Sequence, residues 1–185
     1  PLQLLLDRGS WLLLHEHDSI GQAEGLLACE PLASIRLIKS AARAGRHLSM
    51  HQAALARFSL LQQHCGSLHL GSDLAEQLAF TRTLAAGEQP ARATLRFRCS
   101  PKVMAVVRQE LERFLPCNLR LSRPLPGHSW GRTEPQQLVM TSDSDVLHPY
   151  PVELDLPEWV LRDDPELRRW IFSLGAGIRI EAPAS

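Results

Sequence analysis

The chain has 185 residues, with 20 Lys plus Arg against 20 Asp plus Glu, so net charge gives no general pull toward nucleic acid or a membrane surface. Apolar residues make up 44% and charged residues 22%, which excludes wholesale disorder. The longest apolar runs, Leu4–Leu6 and Trp11–Leu14, exclude a membrane-spanning helix.

Residues 2–6 and 11–15 are short apolar runs around Asp7-Arg8-Gly9-Ser10, which predicts a strand–turn–strand unit with Gly9 in the turn. Gly21 to Gly25 reads as a polar loop, and residues 26–38 as one more strand broken by Pro31. Ser49 is the expected N-cap of a helix that carries Ala53, Ala54, Leu55, Phe58 and Leu61 and stops at Gly66. Asp73 starts a second helix, with Leu74, Leu78 and Leu84 on one face and Gly87 as its stop. Gly87-Glu88-Gln89-Pro90 is the expected boundary between a domain over 1–89 and one over 90–185.

The second half has a cleaner pattern. Thr94–Cys99 alternates, with Leu95, Phe97 and Cys99 on one face and Arg96 and Arg98 on the other, as a half-buried strand does. Ser100-Pro101 opens a helix to about Leu115, with Val103, Val106, Val107, Leu111 and Leu115 toward the core. Residues 118–123 alternate again, and Gln137–Thr141 is the expected third strand. Residues 142–165, acidic and punctuated by proline, read as a solvated loop. Asp164-Pro165 opens a helix with Leu167, Trp170, Ile171 and Leu174, and Ile178 and Ile180 flank Arg179 in a last strand. The order β-α-β-β-α-β predicts a ferredoxin-like α+β layer in which 94–99 pairs with 178–181.

Leu167-Arg168-Arg169-Trp170-Ile171-Phe172-Ser173-Leu174-Gly175 and the following Ile178-Arg179-Ile180 and Pro183 resemble the end of the WYL-type bacterial transcriptional regulators. Pro1-Leu2-Gln3-Leu4-Leu5, a turn and Trp11-Leu12-Leu13 are similar to the opening of that family's middle domain. Leu32-Ala33-Ser34-Ile35 falls where the family has Leu-Asp-Arg-Ile. The resemblance implies a partial Sm-like (SH3-like) β-barrel with helices over 1–89, its opening strands upstream of Pro1, followed by the C-terminal extension over 90–185. It implies transcription regulation: an upstream helix-turn-helix outside this chain binds operator DNA, and this part senses a ligand and forms a dimer. The family's Tyr is Leu12 here and the Arg of its Arg-Ile pair is Ser34, which removes two groups suited to holding phosphate.

Residue chemistry points to no enzyme. No Gly-x-Ser-x-Gly, phosphate-binding glycine loop or dinucleotide fingerprint appears, so no catalytic residue and no cofactor are assigned. His47 and His51, His64-Cys65 and His69, and the alternating His15-Glu16-His17 are the candidate metal ligands. Each lacks a third ligand at recognisable spacing, and no metal site is assigned. The scattered Cys29, Cys65, Cys99 and Cys117 read as reduced thiols in a cytoplasmic protein.

Charge is unevenly spread. Residues 92–123 carry a net charge of about +6 and residues 133–166 about −8. Alternation gathers Arg96, Arg98, Arg120 and Arg179 on one sheet face, where like charges repel unless something anionic neutralises them. The candidate ligand-binding set is these four with Trp11 and Trp130, whose rings could stack a base. Two partners fit: a single-stranded nucleic acid or nucleotide effector, or protein, including the chain's own acidic 143–166 segment. The expected function is therefore the ligand-sensing, dimerising C-terminal region of a WYL-type regulator. The alternative is a protein-protein interaction module that has lost ligand sensing.

Overall fold

The hairpin at the start of the chain is set by its turn. Strands β1 (Gln3–Asp7) and β2 (Ser10–His17) pair antiparallel, with Leu6 opposite Trp11 and Asp7 opposite Ser10. Arg8 (φ 46°) and Gly9 (φ 81°) are both left-handed, the two-residue turn whose twist matches that of the strands. These and the following elements come from a computed structural model, which describes residues 2–17, 24–36, 47–127, 138–139 and 145–184. The chain forms two compact units, Pro1–Gln62 with Leu68–Pro90, and Gln63–Ser67 with Ala91–Ser185.

In the first unit, β3 (Leu26–Pro31) pairs antiparallel with β2 to complete a sheet of order β1-β2-β3. The strand expected over 26–38 ends at Pro31, and Leu32–Ser34 turn as a short 3-10 helix. Alternation divides the sheet sharply. Leu14 and Leu27 on the inner face are fully buried, whereas Leu4, Leu6 and Trp11 on the outer face are 53%, 62% and 54% exposed.

Helix α1 (Leu48–Cys65) buries Ala54, Phe58 and Leu61, the stripe expected of a 3.6-residue period. Ser49 lies inside this helix rather than capping it; the His47 ring stands at its start, with Nδ1 3.4 Å from the Ser49 N–H. Helix α2 (Leu74–Ala85) is capped by Asp73, whose carboxylate accepts from the Glu76 N–H at 2.9 Å. From α2 the fully buried Gln77 reaches β3. Its amide donates to the Leu27 carbonyl (2.8 Å) and the Leu70 carbonyl (3.0 Å), and its oxygen accepts from the Leu27 N–H (3.1 Å). Glu16, the inward residue of His15-Glu16-His17, meets the buried Arg57 at 2.9 Å and the Gly25 N–H at 2.7 Å.

The second unit is built on β4 (Ala93–Cys99), α3 (Pro101–Leu111), β5 (Leu119–Ser122), β6 (Leu138–Val139) and β7 (Tyr150–Leu156). The short α4 (Glu158–Asp163), α5 (Pro165–Ser173) and β8 (Ile178–Ala184) complete it. The sheet order is β6-β5-β7-β4-β8; the four strands from β5 to β8 are antiparallel neighbours, and β6 lies parallel to β5 at the edge. The expected pairing of 94–99 with the last strand is present, with Cys99 opposite Ile178 and Phe97 opposite Ile180.

Several expectations for this unit differ from the fold. The segment read as a solvated acidic loop supplies β7, a central strand, while the described part of the expected third strand, Leu138–Val139, is the edge. The physical reason is visible in β7 itself: Tyr150, Val152, Leu154 and Leu156 all face the core, and Pro151, Glu153 and Asp155 alternate between them. Helix α3 stops at Leu111 rather than Leu115, and it buries Met104, Val107 and Leu111. Val106, adjacent to Val107 and so about 100° away around the axis, is 53% exposed. Ile180, on an edge strand, is 49% exposed instead of covered.

Asp164 caps α5, accepting from the Glu166 and Leu167 N–H groups, and is itself buried. Trp159 and Val160 from α4 and Leu167 from α5 join the core, and the Trp170 ring stands edge-on to Phe97 at 6.1 Å. Among the described residues no helix is long and apolar enough to cross a membrane.

Candidate functional site

The face of the second sheet opposite its core is where the arginines converge. Register brings Arg96 opposite Glu153 across β4–β7, Arg120 opposite Glu153 across β5–β7, and Arg98 opposite Arg179 across β4–β8. Strand alternation fixes the common face for Arg96, Arg98, Arg120 and Glu153, and the register opposite Arg98 sets Arg179 beside them.

Each guanidinium meets a carboxylate of the same chain. Arg120 makes the fullest contact: Nη1 and Nη2 donate to the two oxygens of Asp155 at 2.6 and 2.7 Å, and Nε donates to Glu153 at 2.7 Å. Arg96 Nε lies 3.0 Å from the other Glu153 oxygen. Arg98 Nε donates to Glu181 at 2.5 Å, and Arg179 bridges Glu181 (3.2 Å) and Asp145 (2.8 Å). The like-charged cross-strand pair Arg98–Arg179 is thus held by one shared carboxylate. Of these acids, Asp145, Glu153 and Asp155 belong to the 143–166 segment expected as one neutralising partner, and Glu181 does not.

The titration of the acids follows from these contacts. The Arg120 guanidinium, followed by the Thr94 hydroxyl at 2.7 Å, holds Asp155 below the ordinary carboxylate range against the cost of its partial burial. Burial pushes Glu181 up, but hydrogen bonds from Arg98 and Arg179 outweigh it and leave the group lowered. Asp145 is lowered first by the His148 N–H, against some desolvation, then by the Leu147 N–H and the Arg179 charge. Arg120 is raised further by Asp155, with desolvation opposing and Glu153 adding. A face closed in this way presents paired charges to an incoming phosphate rather than open cations.

Trp11, the aromatic of the candidate set on the first unit, is 54% exposed on the outer face of β2, next to Leu6 across the strand pair. Trp130 lies outside the described residues. The structure therefore groups Arg96, Arg98, Arg120 and Arg179 and leaves Trp11 on the other unit's sheet. Arg92, outside the candidate set, donates to the Asn118 side-chain oxygen at 2.5 Å and to His64 Nδ1 at 3.0 Å. An arginine only donates, so Nδ1 of His64 is the acceptor, and burial followed by the Arg92 charge pushes this imidazole toward its neutral form.

Among the free thiols, burial pushes Cys29, Cys65 and Cys99 each up to about 12, so they are neutral at physiological pH and poor nucleophiles. A surface groove beside α2 is lined by Leu74, Leu78 and Ala79. Its charged rim closes on itself, with Arg82 3.2 Å from Glu24 and Asp73 engaged in capping. No family model, no curated protein and no solved structure matches the chain.

Proposed function

We propose that the chain is the dimerising C-terminal region of a WYL-type transcriptional regulator, working as a protein interaction module rather than as an enzyme. The likeness of residues 167–183 supports the family: the Trp-bearing α5, the turn at Gly175 (φ 50°) and the strand β8 carrying Pro183 follow one another as that ending requires. The strand order β5-β7-β4-β8 with α3 and α4–α5 as its crossovers supports a ferredoxin-like extension, and the β1-β2-β3 sheet supports the remainder of a small barrel.

The observation that carries the interaction reading is the contrast between the two sheets. The arginine face of the second is neutralised from within, whereas the first leaves Leu4, Leu6 and Trp11 more than half exposed on one face. Large apolar side chains gathered on an open sheet face mark an interaction surface. The partner that fits is a second copy of the chain, since an apolar patch is complementary to itself and two-fold pairing requires self-complementarity.

Sedimentation equilibrium tests this. The wild-type chain is expected to dimerise by high micromolar concentration, and Trp11→Asp with Leu6→Ser to return it to monomer with its circular dichroism unchanged. A wild-type monomer throughout that range overturns the reading.

The exposed indole of Trp11 favours a second reading, in which the region senses a single-stranded nucleic acid or nucleotide by stacking, worth ~1–3 kcal/mol per base. Oligonucleotide binding at two salt concentrations separates the two. The interaction reading expects none. Salt-dependent binding that Trp11→Ala abolishes would establish the sensor instead.

A further inference from the structure

The outer face of the first sheet carries a second feature that neither reading uses. His15 and His17 are two apart on β2 and so share a face, and the β2–β3 register sets Leu13 opposite Glu30 and His15 opposite Ala28. Glu30 is therefore the diagonal neighbour of His15 on that same face. One ligand atom from each of His15, His17 and Glu30 lies within 4.8 Å of the others. His15 Nε2 stands 3.4 Å from Glu30 Oε1, and the two imidazole rings are 4.5 Å apart and steeply inclined, at 75°.

We propose that His15, His17 and Glu30 form a binding site for one divalent transition-metal ion of borderline softness, such as Zn2+. This goes beyond the dimerisation reading and stands without it. Three arguments support it. Two imidazoles and a carboxylate are the donor set such ions select over Mg2+ or Ca2+, which take oxygen alone. Zn–N and Zn–O bonds of about 2.0–2.2 Å put the corners of a tetrahedron roughly 3.4 Å apart. The His15–Glu30 separation already has that spacing, and the three-way spread is within a side-chain adjustment of it. Finally, His15 Nε2 is shielded from solvent and, beside its ion-pair contact with Glu30, makes no hydrogen bond, an arrangement a coordinated ion would satisfy.

The site is built on paired strands rather than on a loop, so its donors are held by the backbone ladder. Three protein ligands leave a tetrahedral ion one position for water or for a donor from elsewhere. Bound there, the ion ties β2 to β3 through side chains on the face away from the core.

Calorimetric titration of the chain with ZnCl2, paralleled by the visible absorption of Co2+, tests the site. One ion per chain is expected. His15→Ala, His17→Ala and Glu30→Gln should each weaken binding at least ~10-fold, since changes even outside the ligand shell cost that much. The double variant His47→Ala/His51→Ala, at the start of α1, should bind as the wild type does. Glu30 is 49% exposed, so Glu30→Gln carries the test even if His15→Ala, at a position 13% exposed, fails to fold. No Zn2+ binding by the wild type at high micromolar metal overturns the proposal, as does affinity unchanged in Glu30→Gln and His17→Ala. Sedimentation with and without a chelator reads dimer formation separately, so loss of one property does not decide the other.

Discussion

Replacing Arg120 with Met separates a structural arginine face from a ligand platform. The substitution keeps the aliphatic stem and removes the guanidinium that makes three hydrogen bonds to two carboxylates. Asp155 would retain the Thr94 hydroxyl at 2.7 Å and Glu153 would retain Arg96 at 3.0 Å, so neither acid is abandoned. The side chains of Arg120, Glu153 and Asp155 are 24%, 27% and 22% exposed, between the surface and the interior. Exposed ion pairs contribute roughly 0–1 kcal/mol, and removing one partner of a buried pair costs about 3–5 kcal/mol. The expected loss is therefore about 2 kcal/mol, read as the change in urea unfolding free energy by far-ultraviolet circular dichroism. A double-mutant cycle with Asp155→Asn should return a coupling of at least about 1 kcal/mol. If Arg120 were instead held ready for phosphate, its removal would change stability by no more than about 0.5 kcal/mol. That small value, or zero coupling to Asp155, would refute the assignment of this face as structural.

Other consequences follow from particular contacts. Gln77→Leu should cost about 3–5 kcal/mol, because it strands the N–H and C=O of Leu27 and the Leu70 carbonyl in the interior; a melting temperature within a degree or two of wild type would contradict this. Stability should also fall in acid. Asp155 and Glu181 are held below their ordinary values in the folded chain, so the unfolded chain binds more protons below about pH 5. Their contribution is complete above the unfolded pKa values of about 4 and is lost as pH drops through the folded ones. Urea midpoints should decline between about pH 5 and pH 3, and Asp155→Asn should flatten part of that slope; a profile level across the range would exclude the assignment.

Much of the local chemistry was legible in the sequence, though Ser49 was not the cap it resembled. The Arg8-Gly9 turn, the Asp73 and Asp164 caps and the alternation of 94–99 each depend on neighbours within a few residues, and each is present in the fold. Strand β7 has the same alternation as β4, but its outward positions are Pro151, Glu153 and Asp155. Those residues together disguise a central strand as a solvated loop, and their acids make sense only beside the arginines of β4 and β5. The Arg face could be placed from period alone, whereas its partners depend on which strands adjoin. Glu30 was illegible as a third donor for His15 and His17 because its approach is set by the β2–β3 register, across a connection whose length does not dictate pairing.

The Gln77 contact has a consequence for what can join the first sheet. Strand β3 ends the order β1-β2-β3, so the backbone groups on its outer rim would ordinarily be open to another chain. Gln77 takes both the N–H and the C=O of Leu27, as a residue on an adjacent strand would. The amide thus occupies the rim at the start of β3, and the tie runs to a helix that cannot slide along the strand as a loose segment could. No strand lies beyond β1 among the described residues. Strand addition past β3, whether by a folded partner or by misassembled copies, is opposed at Leu27, where Gln77 already takes the ladder hydrogen bonds an incoming strand would need.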